Sequence, residues 1–408
     1  MDNQGSTDNN TKLVQDLARQ LAGQFSSIRR QGSDATHPLN TDTTSPSAAQ
    51  ANNADNVQSS STTDIAALAD QLGMLLNRGS AASLVVEPPV TTSFEDVPDP
   101  SIYEMQFAET FNRVNSSVLR FEDRDLLDMA SEQMDIGRLF EEAEAMAKDF
   151  PEDSTDDIVI RRLLHWFKND YFTWVNEPPC QTCQGKTVSA GGVAPSPQER
   201  QDGAGAVETY RCVQSCPGLT RFPRYGGMSA ILFKTRRGRC GEWANCFTVL
   251  CRALGYNARY VHDTTDHVWT EVWSEHKKRW IHCDSCEAAY DQPLLYSTGW
   301  GKSLSYCVAF SAEEVVDVTR RYTVDYSTVV AKRRRSIREP VLAKFLHRMS
   351  EANLARLQLT QQEVLSIRQR QALEADDLSG RNGDRRAIET RERESGSDEW
   401  TKARGERH

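Results

Sequence analysis

Cys240 stands between Gly238-Arg239 and Gly241-Glu242, at the head of a stretch whose apolar residues Trp243, Phe247, Leu250 and Leu254 recur at helical spacing. Gly255 follows, and glycine tolerates the left-handed backbone in which helices commonly end. The pattern predicts a helix with Cys240 at its N-terminus. Unpaired backbone N–H groups and the helix dipole favour a thiolate there. Such positions bring a thiol from its ordinary pKa of ~8.5 to ~7.5 or below. A lone cysteine is more commonly a packing residue, so the downstream sequence has to decide.

Residues 257–262, 267–273 and 279–284 follow, with a polar turn, Ser274-Glu275-His276-Lys277-Lys278, before the third. The last two segments are rich in β-branched and aromatic residues and read as strands. Folded as a hairpin about Glu275-His276, they set His267 opposite Asp284, close enough to hydrogen-bond. A thiol nucleophile needs a base beside it and a carboxylate that orients the base. Cys240, His267 and Asp284 supply the three in that order. Taken singly, a polar strand-start residue and a turn aspartate are the commoner roles; taken together with Cys240, catalysis is the better reading. Alternation puts His267, Trp269, Glu271 and Trp273 on one face and Val268, Thr270 and Val272 on the other. A base, an indole and a carboxylate on one face suit a sugar, although Trp273 is expected in the core.

Cys180-Gln181-Thr182-Cys183 and Cys212-Val213-Gln214-Ser215-Cys216 flank 28 residues of loop-like composition. Two short-spaced cysteine pairs are the usual way to build a tetrahedral four-cysteine zinc site, which is structural because no ligand position stays open for water. Unconnected reduced thiols are the alternative. Cys283 and Cys286 also form a C-x-x-C pair, but a metal or redox role there would compete with Asp284 as an orienting carboxylate. Cys246 and Cys251 lie within the Cys240 helix and are expected to pack.

The 408 residues allow one large domain or two smaller ones, and 48 Lys+Arg against 58 Asp+Glu give a net charge of −10, which argues against nonspecific nucleic-acid binding. No apolar run approaches the ~18 residues of a membrane span, and the first residues lack the pattern of a secretory signal. Ten cysteines without such a signal point to thiols and metal rather than disulfides. Residues 1–100 are expected to be largely disordered, with two islands of helical spacing: Leu13, Val14, Leu17 and Leu21, then Ile65, Leu68, Leu72, Leu75 and Leu76. Ser154 is a candidate helix cap, Pro340 suits a first helical position, and Thr360-Gln361-Gln362-Glu363 reads as a capping box. Lys332-Arg333-Arg334-Arg335 reads either as a nuclear signal or nucleic-acid patch or as the solvated edge of a helical tail, and the second is favoured.

Gly238-Arg239-Cys240-Gly241-Glu242-Trp243-Ala244-Asn245, Thr265-Asp266-His267-Val268-Trp269-Thr270-Glu271 and Trp280-Ile281-His282-Cys283-Asp284-Ser285-Cys286-Glu287 resemble the cytoplasmic peptide:N-glycanases of the transglutaminase-like superfamily. Further matching runs begin at Trp174, Thr220 and Gly299, and the resemblance spans about residues 156–326. It implies an α+β, papain/transglutaminase-like core in which a helix bearing Cys240 packs on an antiparallel sheet bearing His267 and Asp284. The core would occupy 101–330, with a zinc-binding insertion at about 175–220, a helical extension at 331–375 and a disordered tail at 376–408. It also implies that Cys180, Cys183, Cys212 and Cys216 bind one Zn2+, although the second pair has three intervening residues where the family usually has two.

The activity implied is hydrolysis of the glycosylasparagine amide through a thioester, on N-glycosylated misfolded proteins in cytosolic quality control and ER-associated degradation. Glu287, Glu271, Trp269, Trp300 and Arg259 would line the site for the glycan core, with Trp174 near the oxyanion position unless it is a core residue. A terminal helix would dock a ubiquitin-like/ubiquitin-associated proteasome shuttle protein, so deletion from Val341 onward should remove that contact and spare activity. The location implied is the cytoplasm, with the nucleus possible, and no nucleic-acid partner or membrane span is expected. Two other readings stay open: an acyltransferase or protease on the same triad, and a non-catalytic zinc-bearing scaffold.

Overall fold

Short polar side chains start the first helices. Ser101 accepts the Glu104 N–H, and the Glu104 carboxylate returns a bond from the Ser101 N–H at 2.8 Å, opening α1 (Ile102–Val118). Asp123 and Asp135 cap α2 (Arg124–Ser131) and α3 (Ile136–Met146). Ser154 and Asp157 form the same reciprocal pair at the head of α4 (Thr155–Trp166), as the sequence predicts. Each such cap is worth ~1 kcal/mol. Ile158, Leu163 and Leu164 are buried, and the rings of Phe167 and Phe172 stack at 5.2 Å beneath Trp243.

This computed structural model describes residues 94–333 and 335–379, with 391, 393–396 and 398. The two predicted islands at 13–21 and 65–76 and almost all of the predicted disordered segment 1–100 lie outside the described residues, as does most of 376–408.

A two-residue strand β1 (Thr173–Trp174) leads into an antiparallel three-stranded sheet of β2 (Thr187–Val193), β3 (Ala206–Cys212) and β4 (Leu219–Arg224), with the short helix α5 (Pro197–Gln201) between β2 and β3. The cysteine pairs sit at the ends of these strands. Helix α6 (Ile231–Thr235) then ends on Arg236 at φ 48°, and β5 (Arg237–Gly238) pairs in parallel with β1 directly before the cysteine helix α7 (Cys240–Ala253).

Helix α7 stops where the sequence predicts. Gly255 has φ 88°, its N–H reaches Arg252 O, and the Tyr256 N–H reaches back to Cys251 O, which satisfies the last carbonyls. Then come β6 (Ala258–Asp263), β7 (His267–Ser274), β8 (Arg279–Asp284), β9 (Ala289–Tyr290), β10 (Cys307–Phe310) and β11 (Val315–Asp317), an antiparallel sheet of order β11-β10-β6-β7-β8-β9. Helix α7 packs on one face, where Val268, Val272 and Ile281 join the main core and the Thr248 and Thr270 hydroxyls meet at 2.7 Å. The other face carries a second core of Val261, Trp269, Leu295, Tyr296, Trp300 and Tyr322.

Three further helices follow among the described residues: α8 (Tyr326–Arg333), α9 (Glu339–Leu354) and α10 (Gln361–Ser379). The predicted box opens α10, with Thr360 N–H on Glu363 at 2.7 Å. Helix α10 continues to Ser379, past the expected end at 375. Both long helices are built into the fold: Val341, Leu342, Leu346 and Met349 of α9 are buried, and Glu374 of α10 pairs with Arg259 and Arg321. Arg333 is not part of a solvated edge. It is 2% exposed, bonds Asp317 and Glu339 at 2.6 Å and lies over the Tyr306 ring. No helix among the described residues is long and apolar enough to cross a membrane.

Candidate active site

The residues around Cys240 explain its position. A Cβ on Gly238 would lie 2.4 Å from that of Glu242, so only glycine lets the chain turn this closely into α7. Glu242, three residues past Arg239, accepts the Arg239 N–H at 3.0 Å, the Tyr225 N–H and the Arg224 guanidinium. Arg239 reaches across to Val175 O, Asn176 O, the Tyr210 hydroxyl and the Glu208 carboxylate. Glu208 also accepts from Arg224 at 2.7 Å. Cys240 is thus the first residue of a helix whose start is tied to β1 and, through β3 and β4, to the cysteine-bearing sheet. It is half-buried and in no disulfide, and a Cβ on the neighbouring Gly241 would meet nothing within 4 Å, which leaves open space there. Cys240 lies close enough to Tyr260 and Cys286, the latter two residues from Asp284, to act on them electrostatically when ionised.

His267 and Asp284 are brought together, but not by the predicted register. The turn is centred one residue later, so Thr270 faces Cys283 and Ser274 faces Arg279. Extended by the same count, Trp269 lies opposite Asp284, and His267 is its diagonal neighbour on the same face. Diagonal pairs remain within side-chain reach. The His267 Nε2 to Asp284 Oδ2 distance is 2.8 Å, and both side chains are fully buried. A carboxylate only accepts, so Nε2 carries the proton. Nδ1 is buried and makes no hydrogen bond. Burial outweighs the Asp284 charge and lowers the His267 pKa to about 4, so the ring is neutral at pH 7 with its lone pair on Nδ1. Burial alone would raise Asp284. At the low pH where it titrates, His267 and His282 have taken up protons, and their charges with the Tyr296 hydroxyl outweigh burial and hold the carboxyl well below its usual range.

The remaining predicted residues separate into two groups. Trp300 and Glu287 flank the His267 ring and the Asp284 loop. The Trp300 ring lies edge-on to His267 at 5.0 Å. Glu287 is buried beside Asp284, and burial followed by that charge raises its pKa. Its carboxylate accepts the N–H groups of Glu394 and Ser395 at 2.9 and 3.0 Å, and the Arg393 guanidinium sits 4.4 Å above the Trp300 ring. Arg393, Glu394 and Ser395, which fall in the segment expected to be disordered, therefore cover this part of the candidate site.

Arg259, Glu271 and Trp269 form the second group, and here the structure differs from expectation. Like Trp300 and Glu287, none has exposed surface, so what sets this group apart is its bonding. Glu271 accepts from Arg259 at 2.7 Å and from Arg321 and the Tyr322 hydroxyl at 2.6 Å. Burial would raise its pKa, but the two arginines overcome this and hold it at about 2. Arg259 also bonds Glu314 and Glu374, and Trp269 stacks on Tyr296 at 4.3 Å. Arg259 and Glu271 have their bonding capacity spent inside the protein and back the site rather than line it, and Trp269 packs in the same wall with its indole N–H unbonded. Trp174, beside Gly238 in the β1–β5 pair, is half-buried, and its indole N–H donates to Asn176 at 2.8 Å. Trp273 is in the core, as expected.

Cys180, Cys183, Cys212 and Cys216 have sulfur atoms all within 4.8 Å of one another, Cys183 and Cys212 at 3.6 Å. Four sulfurs each ~2.3 Å from one zinc would stand ~3.8 Å apart, so the cluster could hold a metal ion. The Thr182, Gly185 and Gln214 N–H groups point at the sulfurs of Cys180, Cys183 and Cys212. N–H groups of Cys183 and Thr182 lower the Cys180 pKa to about 6. The extra residue of the second pair is taken up by Ser215 in the left-handed region at φ 58°. Cys283 and Cys286 are buried with pKa values raised well above normal by loss of solvation.

Sequence reasoning missed Glu242, Arg239 and Arg224 as the frame of the cysteine, and Tyr296 and His282 behind Asp284. The three-residue step from Arg239 to Glu242 is capping-box spacing and could have flagged the first.

A cysteine at a helix start, beside an antiparallel sheet carrying a histidine and an aspartate, defines a transglutaminase-like protein. The model of the Transglutaminase-like superfamily matches residues 189–285, and that of the Rad4 transglutaminase-like domain matches 257–378. A solved structure of Rad4-Rad23 bound to a 6-4 photoproduct UV lesion aligns with 68% of this chain and 58% of that one, at 14% identity and a TM-score of 0.40, a likeness too distant to bear on function. Proteins named peptide-N(4)-(N-acetyl-beta-glucosaminyl)asparagine amidase are much nearer. That of Yarrowia lipolytica is 41% identical over 311 residues, covering 73% of this chain and 85% of that protein. Those of Homo sapiens and Arabidopsis thaliana are 52% and 40% identical, covering 46% and 71% of this chain but only 29% and 40% of their own length. The chain belongs to the peptide-N(4)-(N-acetyl-beta-glucosaminyl)asparagine amidase family.

Proposed function

We propose that this chain hydrolyses the amide that joins an N-linked glycan to asparagine, with Cys240 as nucleophile, His267 as base and acid, and Asp284 as the group that orients His267. The observation that carries the reading is the buried imidazole whose Nε2–H is fixed on Asp284 while Nδ1 stays without a partner. A nitrogen in that state is ready to take a proton. His267 Nδ1 removes the Cys240 thiol proton as the sulfur attacks the side-chain carbonyl carbon. The first N–H groups of α7 have no partner within the helix and stabilise the oxyanion. Trp174 is committed to Asn176 and supports this position from the side. His267 then gives its proton to the departing glycosylamine nitrogen, the C–N bond breaks, and a thioester remains. Water, losing a proton to His267, attacks the thioester, and the thiol leaves as it regains that proton. The products are an aspartate in the peptide and a 1-amino sugar.

Glu287 and Trp300 are the residues we assign to the glycan, once Arg393, Glu394 and Ser395 leave them. Arg259, Glu271 and Trp269 hold the wall behind. The four cysteines would hold a structural Zn2+, whose role is to fix the sheet that anchors Arg239 and Arg224. The substrates would be misfolded N-glycosylated proteins of the cytosol. A shuttle-protein contact would fall on the outward side of α10, where Leu365 and Leu373 are exposed.

Mass spectrometry of a glycopeptide tests the reaction. Conversion of asparagine to aspartate raises the peptide mass by about one unit. Cys240→Ala should reduce conversion to background while leaving the thermal melt in place, since it removes only the sulfur of a half-buried side chain at a helix start. A Cys240→Ala variant with full activity, or a product that keeps N-acetylglucosamine on asparagine, would refute the assignment.

A further inference from the structure

Behind Asp284 runs a chain of hydrogen bonds whose direction is fixed at its far end. The backbone N–H of Gln292 donates to His282 Nδ1 at 3.3 Å. That nitrogen must therefore be the acceptor, and in the neutral ring Nε2 carries the proton. Burial holds His282 neutral by lowering its pKa to about 4. Nε2–H faces the Tyr296 hydroxyl oxygen at 2.6 Å, so the Tyr296 proton is directed away from it, to Asp284 Oδ2 at 2.9 Å. The same Oδ2 accepts from His267, and Oδ1 accepts the Cys286 N–H at 2.8 Å. Tyr296 and both histidines are almost or wholly without exposed surface, so no water competes for these bonds and each polarises the next.

We infer that Tyr296, held by His282, is a positioning residue that sets how strongly Asp284 draws on the imidazole, and so sets the pH at which His267 takes up a proton. This rests on the proposed roles of Cys240, His267 and Asp284. Each donor to the carboxylate spreads its charge and weakens its pull on the Nε2 proton. Without the Tyr296 hydroxyl, Asp284 would favour the charged imidazolium more, and the neutral base would be lost at a higher pH.

The test is the pH dependence of Cys240 alkylation by iodoacetamide, followed by peptide mass mapping, beside the pH profile of kcat/KM on a glycopeptide. In Tyr296→Phe the acid limb of both should move up by about half to one pH unit, the size one neutral hydrogen bond carries, with about a two- to fivefold loss of kcat/KM near pH 4, on the limb itself. 3-Fluorotyrosine at position 296 is nearly the same shape and a stronger donor, so it should move the limb down, and it keeps the test valid should the phenylalanine variant not fold. A purely structural role predicts no movement in either direction, and unmoved limbs in the folded variants would overturn the inference. The alkylation profile needs no glycan. It therefore decides this inference even where Cys240→Ala shows that the amidase reading is wrong.

Discussion

Two buried imidazoles, His267 and His282, are held neutral at either end of a hydrogen-bonded chain through Asp284 and Tyr296. Burial is the largest cause in each and brings each pKa from 6.5 to about 4. The sign of the consequence follows from linkage. Below pH 6.5 the unfolded chain binds protons at these positions that the folded chain does not, so stability is full above that pH and falls as pH drops toward 4. The loss is on the order of 3 kcal/mol for each ring by pH 4. Asp284, depressed by its neighbours, adds loss of the same sign at lower pH. Thermal melts between pH 7.5 and 4 should show the midpoint falling most steeply below pH 6.5, and His282→Phe should flatten part of that slope. A midpoint flat from pH 7 to 4.5 would mean the rings are not buried as described. Neither His282 nor Tyr296 could be singled out from sequence. One reads as an alternating strand residue and the other as one aromatic among many, and only the π-turn at Leu295–Gly299 brings the hydroxyl under Asp284.

At the scale of elements, the local signals were good guides and the distant ones were not. The cysteine helix, its Gly255 stop and the caps at Ser154 and Thr360 were all legible, because each depends on residues three or four apart. The hairpin was legible apart from a one-residue shift of its turn, which is why the His267–Asp284 pair survived as a diagonal contact. Arg259 and Glu271 were expected as glycan contacts from the resemblance, and their pairing with each other on neighbouring strands was hidden. Their partners Glu314, Arg321 and Glu374 lie up to 115 residues away, and Glu374 and Arg370 look like the solvated face of a charged helix. Glu374 is in fact 3% exposed and joins α10 to the sheet through Arg259 and Arg321. Removing one partner from such a network strands the others. Glu374→Ala should cost about 3–5 kcal/mol in urea unfolding and abolish hydrogen-exchange protection in α10. A cost below about 1 kcal/mol would show that α10 is held by other contacts. The same packing changes the forecast for deletion from Val341. Four buried apolar residues of α9 leave with it, so activity and fold are lost together and the deletion cannot isolate a docking surface.

Taken as a whole, the molecule covers its own candidate site with Arg391, Arg393, Glu394 and Ser395. Glu394 and Ser395 place backbone N–H groups on Glu287, Arg391 bonds the Glu287 carbonyl at 2.7 Å, and Arg393 covers Trp300. Gly299 leaves room for this, since a Cβ there would meet the Arg391 carbonyl at 2.4 Å. A glycan that uses Glu287 and Trp300 must displace these contacts, so the segment and the substrate compete for one place. Competition of this kind raises KM and leaves kcat largely alone. Removing everything after Ser379 should therefore lower KM for a glycopeptide several-fold with kcat within about twofold, and a synthetic peptide covering residues 388–399, added back, should inhibit competitively. The charge gives a second readout. Arg393 is among the groups that lower the His267 pKa, so the truncated protein should lose its neutral base at a slightly higher pH, and high salt should shrink the difference from the full chain because screening weakens the arginine's reach. Unchanged KM together with an unmoved acid limb would mean that the segment does not occupy the site in solution.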